Sequence, residues 1–296
     1  IWVVEVPQKE PVAPYRSHAR TSSTTTKGIV RLETDEGLTG WGEYNLNFLP
    51  GVDLGLMQKN ASEWMTGRDP LNIAAFHQTC PLETRLKSGL ELAMWDIAGK
   101  ALGVPVYKLL GGKVRDKGQV YNGNIRFEMI GNEPEDYAEE IRKEIDAPQG
   151  FSIIKQAVGF HDGWAGKVDD FYYGTPETRR RHPNRGTITR KGFNHLMACI
   201  EAMLEVCGDD VALALDCGPG MTVPDALKLA RALEGENIMW LEDMITGDYT
   251  PYVLADLYKQ VTPYTTTPIH TGEQIYLRQN FVELIETSAV NILGPD

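Results

Sequence analysis

The sequence predicts an α/β protein in which a β/α barrel follows a separate α+β domain. Three short apolar runs each end in or just before an acid and alternate with helical patterns: VALALD (211–216), IMWLED (238–243) and TPIHTGE (267–273). Strands that alternate with helices pair in parallel, so their carboxyl ends lie at one rim. The N-terminal third lacks this alternation. We therefore expect two domains, residues 1–112 and 113–296.

The first domain has the patterns of a small sheet with helices. A strand is predicted at 1–7, and β-branched alternation on both sides of Asp35-Glu36-Gly37 predicts a hairpin. Helices are predicted at 56–65 and 88–103, the second ending at Gly103 in the position of a C-cap. Asp96 on that helix is expected to be a buried structural acid rather than a catalyst.

The second domain repeats strand and helix. We predict helices at 133–147, 190–208, 224–236, 250–261 and 277–289, and strands at 119–124, 151–158, 211–216, 238–243, 267–274 and 290–296. Six parallel strands cannot close an eight-stranded barrel. We therefore expect a barrel that is incomplete at the C-terminus, with about two βα units following Asp296.

Composition narrows the range of partners. A net charge of −12 over 296 residues argues against nucleic acid and anionic membranes, both of which need a positive surface. It is compatible with a small anionic substrate, because a bound cation reverses the local charge. The four cysteines have no CxxC spacing, which predicts buried thiols in a reducing cytoplasm. Neither a membrane-spanning run nor a signal peptide is recognisable.

The acids Asp216, Glu242 and Glu273 are the candidate metal ligands. Three carboxylates at one rim can converge on a hard cation, which predicts a Mg²⁺ site at the barrel mouth. In VALALD the residues that share a face with Asp216 are alanines, as a crowded barrel interior requires. The alternative is that each acid is an ordinary helix N-cap or a solvated loop residue.

Two further stretches bear on the site. Alternation over 151–158 directs Lys155 into the barrel mouth, where it could have a lowered pKa and act as a base, or could only pair with an acid. Residues 159–188 are too long for an ordinary βα loop. They are either a solvated insertion or oligomer contact, or a lid whose aromatic residues, Tyr172 among them, touch the substrate. His270 alternates away from Glu273 and is expected in the core or beside a ligand.

The chain resembles the enolase superfamily, in its mandelate racemase/muconate lactonizing branch. The resemblance rests on TDEGLTGWGE in the hairpin, LELAMWDIAGKALGVPVYKLLGGKVRD at the domain junction, and LALD, WLED and TGEQ on consecutive strands. It implies an N-terminal capping domain and a modified TIM-type barrel, with Asp216, Glu242 and Glu273 as the Mg²⁺ ligands. A homo-oligomer is also expected.

The resemblance also implies roles for single residues. Lys155 matches the first lysine of a Lys-x-Lys pair whose second position is here Ala157, and Asp296 matches an acid that orients a histidine base on the next strand. We therefore expect Lys155 and Asp296 to be catalytic. In the family, loops of the capping domain close on the substrate. Residues of this chain that match those loops are therefore candidate substrate contacts: Tyr15, Arg16, His18 and Asn45.

The shared chemistry of the family is removal of a proton α to a carboxylate, giving an enediolate. We expect Mg²⁺-dependent dehydration of a sugar acid to a 2-keto-3-deoxy acid, with a small carboxylate as the only partner besides a second copy of the chain. Two alternatives stay open. One is a racemase, epimerase or cycloisomerase on the same fold, and the other is a non-catalytic sugar-acid-binding relative.

Overall fold

The computed structural model divides the chain into two compact units. The first comprises residues 1–8 and 24–118, and the second comprises residues 9–23 and 119–296. The structure describes residues 2–7, 15–17, 20–22, 24–45, 53–123, 129, 131–161, 167–173, 186–245, 255–273 and 275–295. Within these ranges, no helix is both long enough and apolar enough to cross a bilayer.

An antiparallel sheet forms the first unit's framework. The predicted hairpin is confirmed, with strands β4 (Thr24–Glu33) and β5 (Thr39–Asn45) paired on either side of a turn in which Gly37 has φ 84°. Strand β1 (Trp2–Pro7) pairs with the other edge of β4, which gives the order β1-β4-β5. The structure also contains a two-stranded antiparallel pair, β2 (Tyr15–Ser17) and β3 (Arg20–Ser22), which belongs to the second unit.

Four helices follow in the first unit: α1 (Leu54–Met65), α2 (Ile73–Thr79), α3 (Thr84–Leu102) and α4 (Val106–Leu109). Helix α3 ends where predicted, at Gly103 with φ 65°. It begins four residues earlier than predicted, because the Glu83 carboxylate accepts hydrogen bonds from the backbone N–H groups of Arg85 and Leu86.

Asp96 of α3 has a structural role, as expected. Its carboxylate accepts hydrogen bonds from the Trp41 backbone N–H at 2.9 Å and from the Lys100 ammonium at 2.7 Å, which ties the helix to β5. The expectation that Asp96 is buried was wrong, because its side chain is about a third exposed at the edge of the contact (34%).

Glycines at alternate positions of β5 explain part of the TGWGE motif. A Cβ atom on Gly42 would collide with the Gly89 carbonyl oxygen, and one on Gly40 with the Ala93 carbonyl oxygen. The strand therefore lies directly against the backbone of α3, closer than any side chain permits.

The second unit contains a five-stranded parallel sheet. Its strands are β6 (Ile153–Ala157), β7 (Ala212–Asp216), β8 (Ile238–Glu242), β9 (Ile269–Thr271) and β10 (Ile292–Leu293), in the order β10-β9-β8-β7-β6. The helices between and before them are α5 (Pro134–Ile145), α6 (Arg190–Cys207), α7 (Val223–Ala232), α8 (Ala255–Tyr258) and α9 (Val282–Glu286). Over the described residues the sheet is open, which agrees with an incomplete barrel.

The alternation predicted for VALALD is present. Leu213 and Leu215 belong to one hydrophobic core with α6 residues such as Leu196 and Ile200. Ala214 is fully buried but lies outside that core, on the face it shares with Asp216. Small residues therefore line the inner face and large ones pack against the helices.

Several predicted elements are shorter than expected, among them the strand predicted at 267–274, which covers only Ile269–Thr271. Residues 119–124 do not form a strand in their described part, and only Asn122 makes a parallel bridge, to Ile154. The helix predicted at 277–289 starts as a 3-10 turn (Arg278–Phe281), because Leu277 has φ 69°, and its α-helical part ends at Glu286. The last strand covers only Ile292–Leu293.

The contact between β5 and α3 gives a stability prediction. We expect Gly42→Ala to lower the free energy of unfolding by about 1–3 kcal/mol, because an added methyl group has to displace the α3 backbone. Gly118→Ala is the control, since a Cβ atom there meets open space. Chemical denaturation of both variants measures the difference, and equal stabilities would contradict the proposed close contact.

Candidate metal centre

The strand register brings the predicted acids together. Asp216 at the end of β7 pairs with Glu242 at the end of β8, so both side chains lie on the same face of the sheet. Glu273 follows two residues after the end of β9. Each of the three acids offers a carboxylate oxygen, and these oxygens lie within 4.8 Å of one another. The acids that the sequence predicted as a group are therefore neighbours in space.

Lys155 of β6 reaches this group from the neighbouring strand. It pairs with Ala214, one inward-facing position before Asp216. Its ammonium nitrogen lies 2.6 Å from Glu242 Oε1 and 3.3 Å from Asp216 Oδ2. The prediction that Lys155 points into the barrel mouth agrees with this geometry, because a side chain facing the helices could not reach either acid.

The acids and the lysine shift one another's proton affinity. Burial alone would lower the pKa of Lys155, but the carboxylates of Asp216 and Glu242 outweigh it and hold the pKa above its usual range. The expected lowering of the Lys155 pKa was therefore wrong, since the electrostatic attraction exceeds the desolvation cost. Burial, with the charge of Asp216 nearby, raises the pKa of Glu273 to about 7.

The Asp216 carboxylate is held by a backbone N–H group and by a histidine. Its Oδ1 atom accepts a hydrogen bond from the Gly218 backbone N–H at 3.2 Å and lies 3.1 Å from His161 Nδ1. Burial would raise the pKa of Asp216, but His161 and Lys155 hold it below its usual range. Ala157, the position where the family resemblance implies a second lysine, pairs with Asp216 in the strand register.

Aromatic side chains lie below the acids. Trp240 shares the inner face of β8 with Glu242, and its indole N–H donates to Glu242 Oε2 at 2.9 Å. Tyr121 packs edge-on against the Trp240 ring, with the centroids 5.0 Å apart. The Lys155 ammonium lies 6.0 Å from the centroid of the Tyr121 ring. Burial raises the pKa of the Tyr121 hydroxyl.

The donor set fits Mg²⁺. Magnesium takes oxygen ligands and commonly binds through carboxylates completed by water and substrate oxygens. Here three carboxylates converge, and one positively charged nitrogen already lies against two of them. Burial and the charges of Asp216 and Glu242 raise the pKa of Glu273, and Lys155 and His161 offset this rise only in part. A divalent cation would supply the missing positive charge.

Comparisons with known families agree with this architecture. A model described as the mandelate racemase/muconate lactonizing enzyme N-terminal domain matches residues 1–111, and one described as enolase C-terminal domain-like matches residues 136–296. The chain belongs to the enolase superfamily. Within it, the N-terminal match identifies the mandelate racemase/muconate lactonizing enzyme branch, as the resemblance indicated.

Similar members of the superfamily include sugar-acid dehydratases. The chain is 30% identical over 279 residues to D-xylonate dehydratase of Haloferax volcanii, covering 90% of this chain and 61% of the relative. It is 28% identical over 278 residues to D-galactonate dehydratase of Ralstonia pickettii, covering 90% of this chain and 63% of the relative. It therefore spans less than two thirds of the length of either enzyme.

A solved structure of an enolase-superfamily member from Salmonella Typhimurium supports the same fold. It superposes with a TM-score of 0.68 at 26% sequence identity, and the match covers 92% of this chain and 69% of that one. The N-terminal α+β domain and the α/β barrel expected from the sequence are thus the fold of this superfamily.

The other predicted site residues are only partly described. Tyr15 and Arg16 lie on β2 and Asn45 ends β5, but their side chains, like His18 and Asp296, lie outside the described residues. Tyr172 bridges to Ile188 and packs against Phe160 at the edge of the hydrophobic core. Its role as a substrate contact stays a prediction.

Sequence reasoning missed three residues of the site: Tyr121, His161 and Trp240. A signal existed for Trp240, because it lies two residues before Glu242 on one strand and must share its face. Tyr121 lay in a stretch expected to be a strand, without a pattern that marked it. His161 lies at the start of the 159–188 insertion, where no periodicity predicts side-chain direction.

His270 is placed as the sequence predicted, in the core beside a candidate ligand. It is buried, and its Nδ1 atom lies 3.5 Å from Glu242 Oε2. Burial lowers the pKa of its imidazole. Because it pairs with Glu242 in the register, its ring lies against that acid and the neighbouring Trp240.

The position of Lys155 gives a stability prediction. In EDTA we expect Lys155→Met to lower the free energy of unfolding by about 3 kcal/mol, because two buried carboxylates lose their positive partner. Mg²⁺ should offset part of this loss by binding the folded state. Thermal and urea unfolding, with and without Mg²⁺, measure both effects.

Lys27→Met is the matched control for this prediction. Lys27 also lies 2.6 Å from a carboxylate, that of Glu43, but both side chains are exposed to solvent (38% and 52%). Such a pair contributes less than about 1 kcal/mol. If Lys155→Met costs no more than Lys27→Met, the buried charge cluster does not have the energetics described here.

Proposed function

We propose that the protein dehydrates a sugar acid to a 2-keto-3-deoxy acid with Mg²⁺ as cofactor. The observation that carries the proposal is the convergence of Asp216, Glu242 and Glu273 beside Lys155 in an enolase-superfamily chain. Similarity to D-xylonate and D-galactonate dehydratases supports this reaction over others of the superfamily.

The three acids would hold the metal ion, and the ion supplies positive charge that stabilises an enediolate as the proton α to the carboxylate is removed. Without such stabilisation this proton is far too weakly acidic for a side-chain base. The carboxylates are fixed before substrate binds: Asp216 by Gly218 and His161, and Glu242 by Trp240. Little reorganisation is then needed during the reaction.

We assign Lys155 the role of an electrostatic partner for the substrate carboxylate and the developing enediolate. Its ammonium nitrogen lies 2.6 Å from Glu242 Oε1 and 3.3 Å from Asp216 Oδ2, beside the acids that would hold the metal ion. It can therefore donate hydrogen bonds to an anionic substrate at this place. The expectation that Asp296 orients a histidine base remains a prediction.

The reaction balances as follows. A base removes the C2 proton, and the C3 hydroxyl leaves as water with a proton from an acid. The resulting enol then takes a proton at C3 and releases the proton of its C2 hydroxyl to give the ketone. The small side chain of Ala157 supports dehydration over racemisation, because a racemase of this type needs basic groups on both faces of the substrate. We also propose a cytoplasmic location, supported by four buried cysteines, none of which forms a disulfide.

The proposal is tested by incubating the full-length protein with Mg²⁺ and a panel of sugar acids that includes D-xylonate and D-galactonate. We expect a 2-keto-3-deoxy acid, detected as its semicarbazone, and no product in EDTA. Asp216→Asn keeps the side-chain shape but removes the charge. It should lower kcat/KM by roughly 100-fold or more, the scale of losing one group that stabilises developing charge.

Other outcomes separate the alternatives. Exchange of the C2 hydrogen with solvent deuterium, without formation of a keto acid, would identify an isomerase. Binding of sugar acids without exchange would identify a non-catalytic relative. Absence of keto acid with every member of the panel would contradict dehydration.

A further inference from the structure

Trp240 occupies a position directly below the candidate metal ligands. On β8 it faces the same side as Glu242, and it pairs with Ala214 on β7, which in turn pairs with Lys155 on β6. Ala214 carries only a methyl side chain beside Trp240 in the register. Trp240 is buried (6% exposed) although it is the largest side chain on the strand.

The indole N–H makes a single directed contact with Glu242. It donates to Oε2 at 2.9 Å, while Oε1 of the same carboxylate lies 2.6 Å from the Lys155 ammonium. The two oxygens of Glu242 are thus held in different directions. Oε2 faces the barrel floor, and Oε1 faces the positive charge at the site. Among the described residues, Trp240 is the only hydrogen-bond donor to Oε2.

The ring that supplies this N–H is itself fixed. Tyr121 packs edge-on against one part of the indole, at 5.0 Å between centroids, and His270 packs against it at 5.5 Å. His270 Nδ1 lies 3.5 Å from Oε2 but makes no hydrogen bond within the described residues. The indole therefore provides the directional contact, and its two neighbours restrict its rotation.

We propose that Trp240 is a positioning residue that orients the Glu242 carboxylate for binding of a divalent cation, an inference that rests on the proposed function. The terminal torsion of a glutamate is intrinsically broad. Without a donor at Oε2 the carboxylate plane can rotate about this torsion, and the direction of both oxygens is no longer fixed. Partners that orient metal ligands in this way typically change metal affinity by roughly 10–100-fold.

The test compares Mg²⁺ binding by wild type, Trp240→Phe and Trp95→Phe, each as the full-length protein. Trp240→Phe keeps an aromatic ring for Tyr121 and His270 but removes the N–H group. Trp95→Phe is the matched control, because Trp95 in the first unit donates to the Glu91 carboxylate at 3.2 Å, and neither residue is a candidate ligand. Isothermal titration calorimetry measures the dissociation constant, and thermal unfolding in EDTA measures stability.

We expect Trp240→Phe to weaken Mg²⁺ binding by roughly 10–100-fold, and Trp95→Phe to leave it unchanged even if both variants lose similar stability. A merely structural role for Trp240 would instead lower the melting temperature and leave the dissociation constant at the wild-type value, and that result would overturn the proposal. Failure of wild type to bind Mg²⁺, Mn²⁺ or Co²⁺ would overturn it as well.

These outcomes are independent of the dehydration assay. If wild type binds Mg²⁺ and Trp240→Phe weakens that binding, the positioning role is supported even if no sugar acid is dehydrated. If wild type is a dehydratase and Trp240→Phe binds Mg²⁺ normally, the proposed function stands and only the role of Trp240 is wrong.

Discussion

The second unit depends on how three carboxylates, two of them buried, are accommodated at neighbouring strand ends. Parallel pairing places Asp216 beside Glu242, and Glu273 lies close enough for all three to offer an oxygen within 4.8 Å. Like charges at such distances repel strongly in a buried setting. The Lys155 ammonium and the His161 imidazole balance only part of this charge. A bound cation would complete the set.

The strands below the acids are built to allow this arrangement. Two alanines are register partners of larger groups at the site: Ala157 pairs with Asp216, and Ala214 pairs with Lys155 on one side and Trp240 on the other. Outward-facing Leu213 and Leu215 join a continuous hydrophobic core with the helices. The apolar contacts thus stabilise the strands, and the inner face is left for the charged groups and the aromatic floor formed by Tyr121 and Trp240.

Much of this could be predicted from the sequence, because strand alternation fixes side-chain direction. Asp216, Glu242 and Lys155 lie where alternation and strand order place them. Residues 119–124 and 277–289 were less predictable, since bridges and the positive φ of Leu277 depend on tertiary contacts rather than on propensity. The high pKa of Lys155 could not be anticipated either, because it reflects distances to two acids on other strands.

The central claim is that Asp216, Glu242 and Glu273 bind one divalent cation. A crystal of the full-length protein grown with Mn²⁺, measured at the manganese absorption edge, tests it most directly. The account predicts one anomalous peak enclosed by oxygens of all three carboxylates. A map with no peak there, or with the three carboxyl groups too far apart to share an ion, would contradict it.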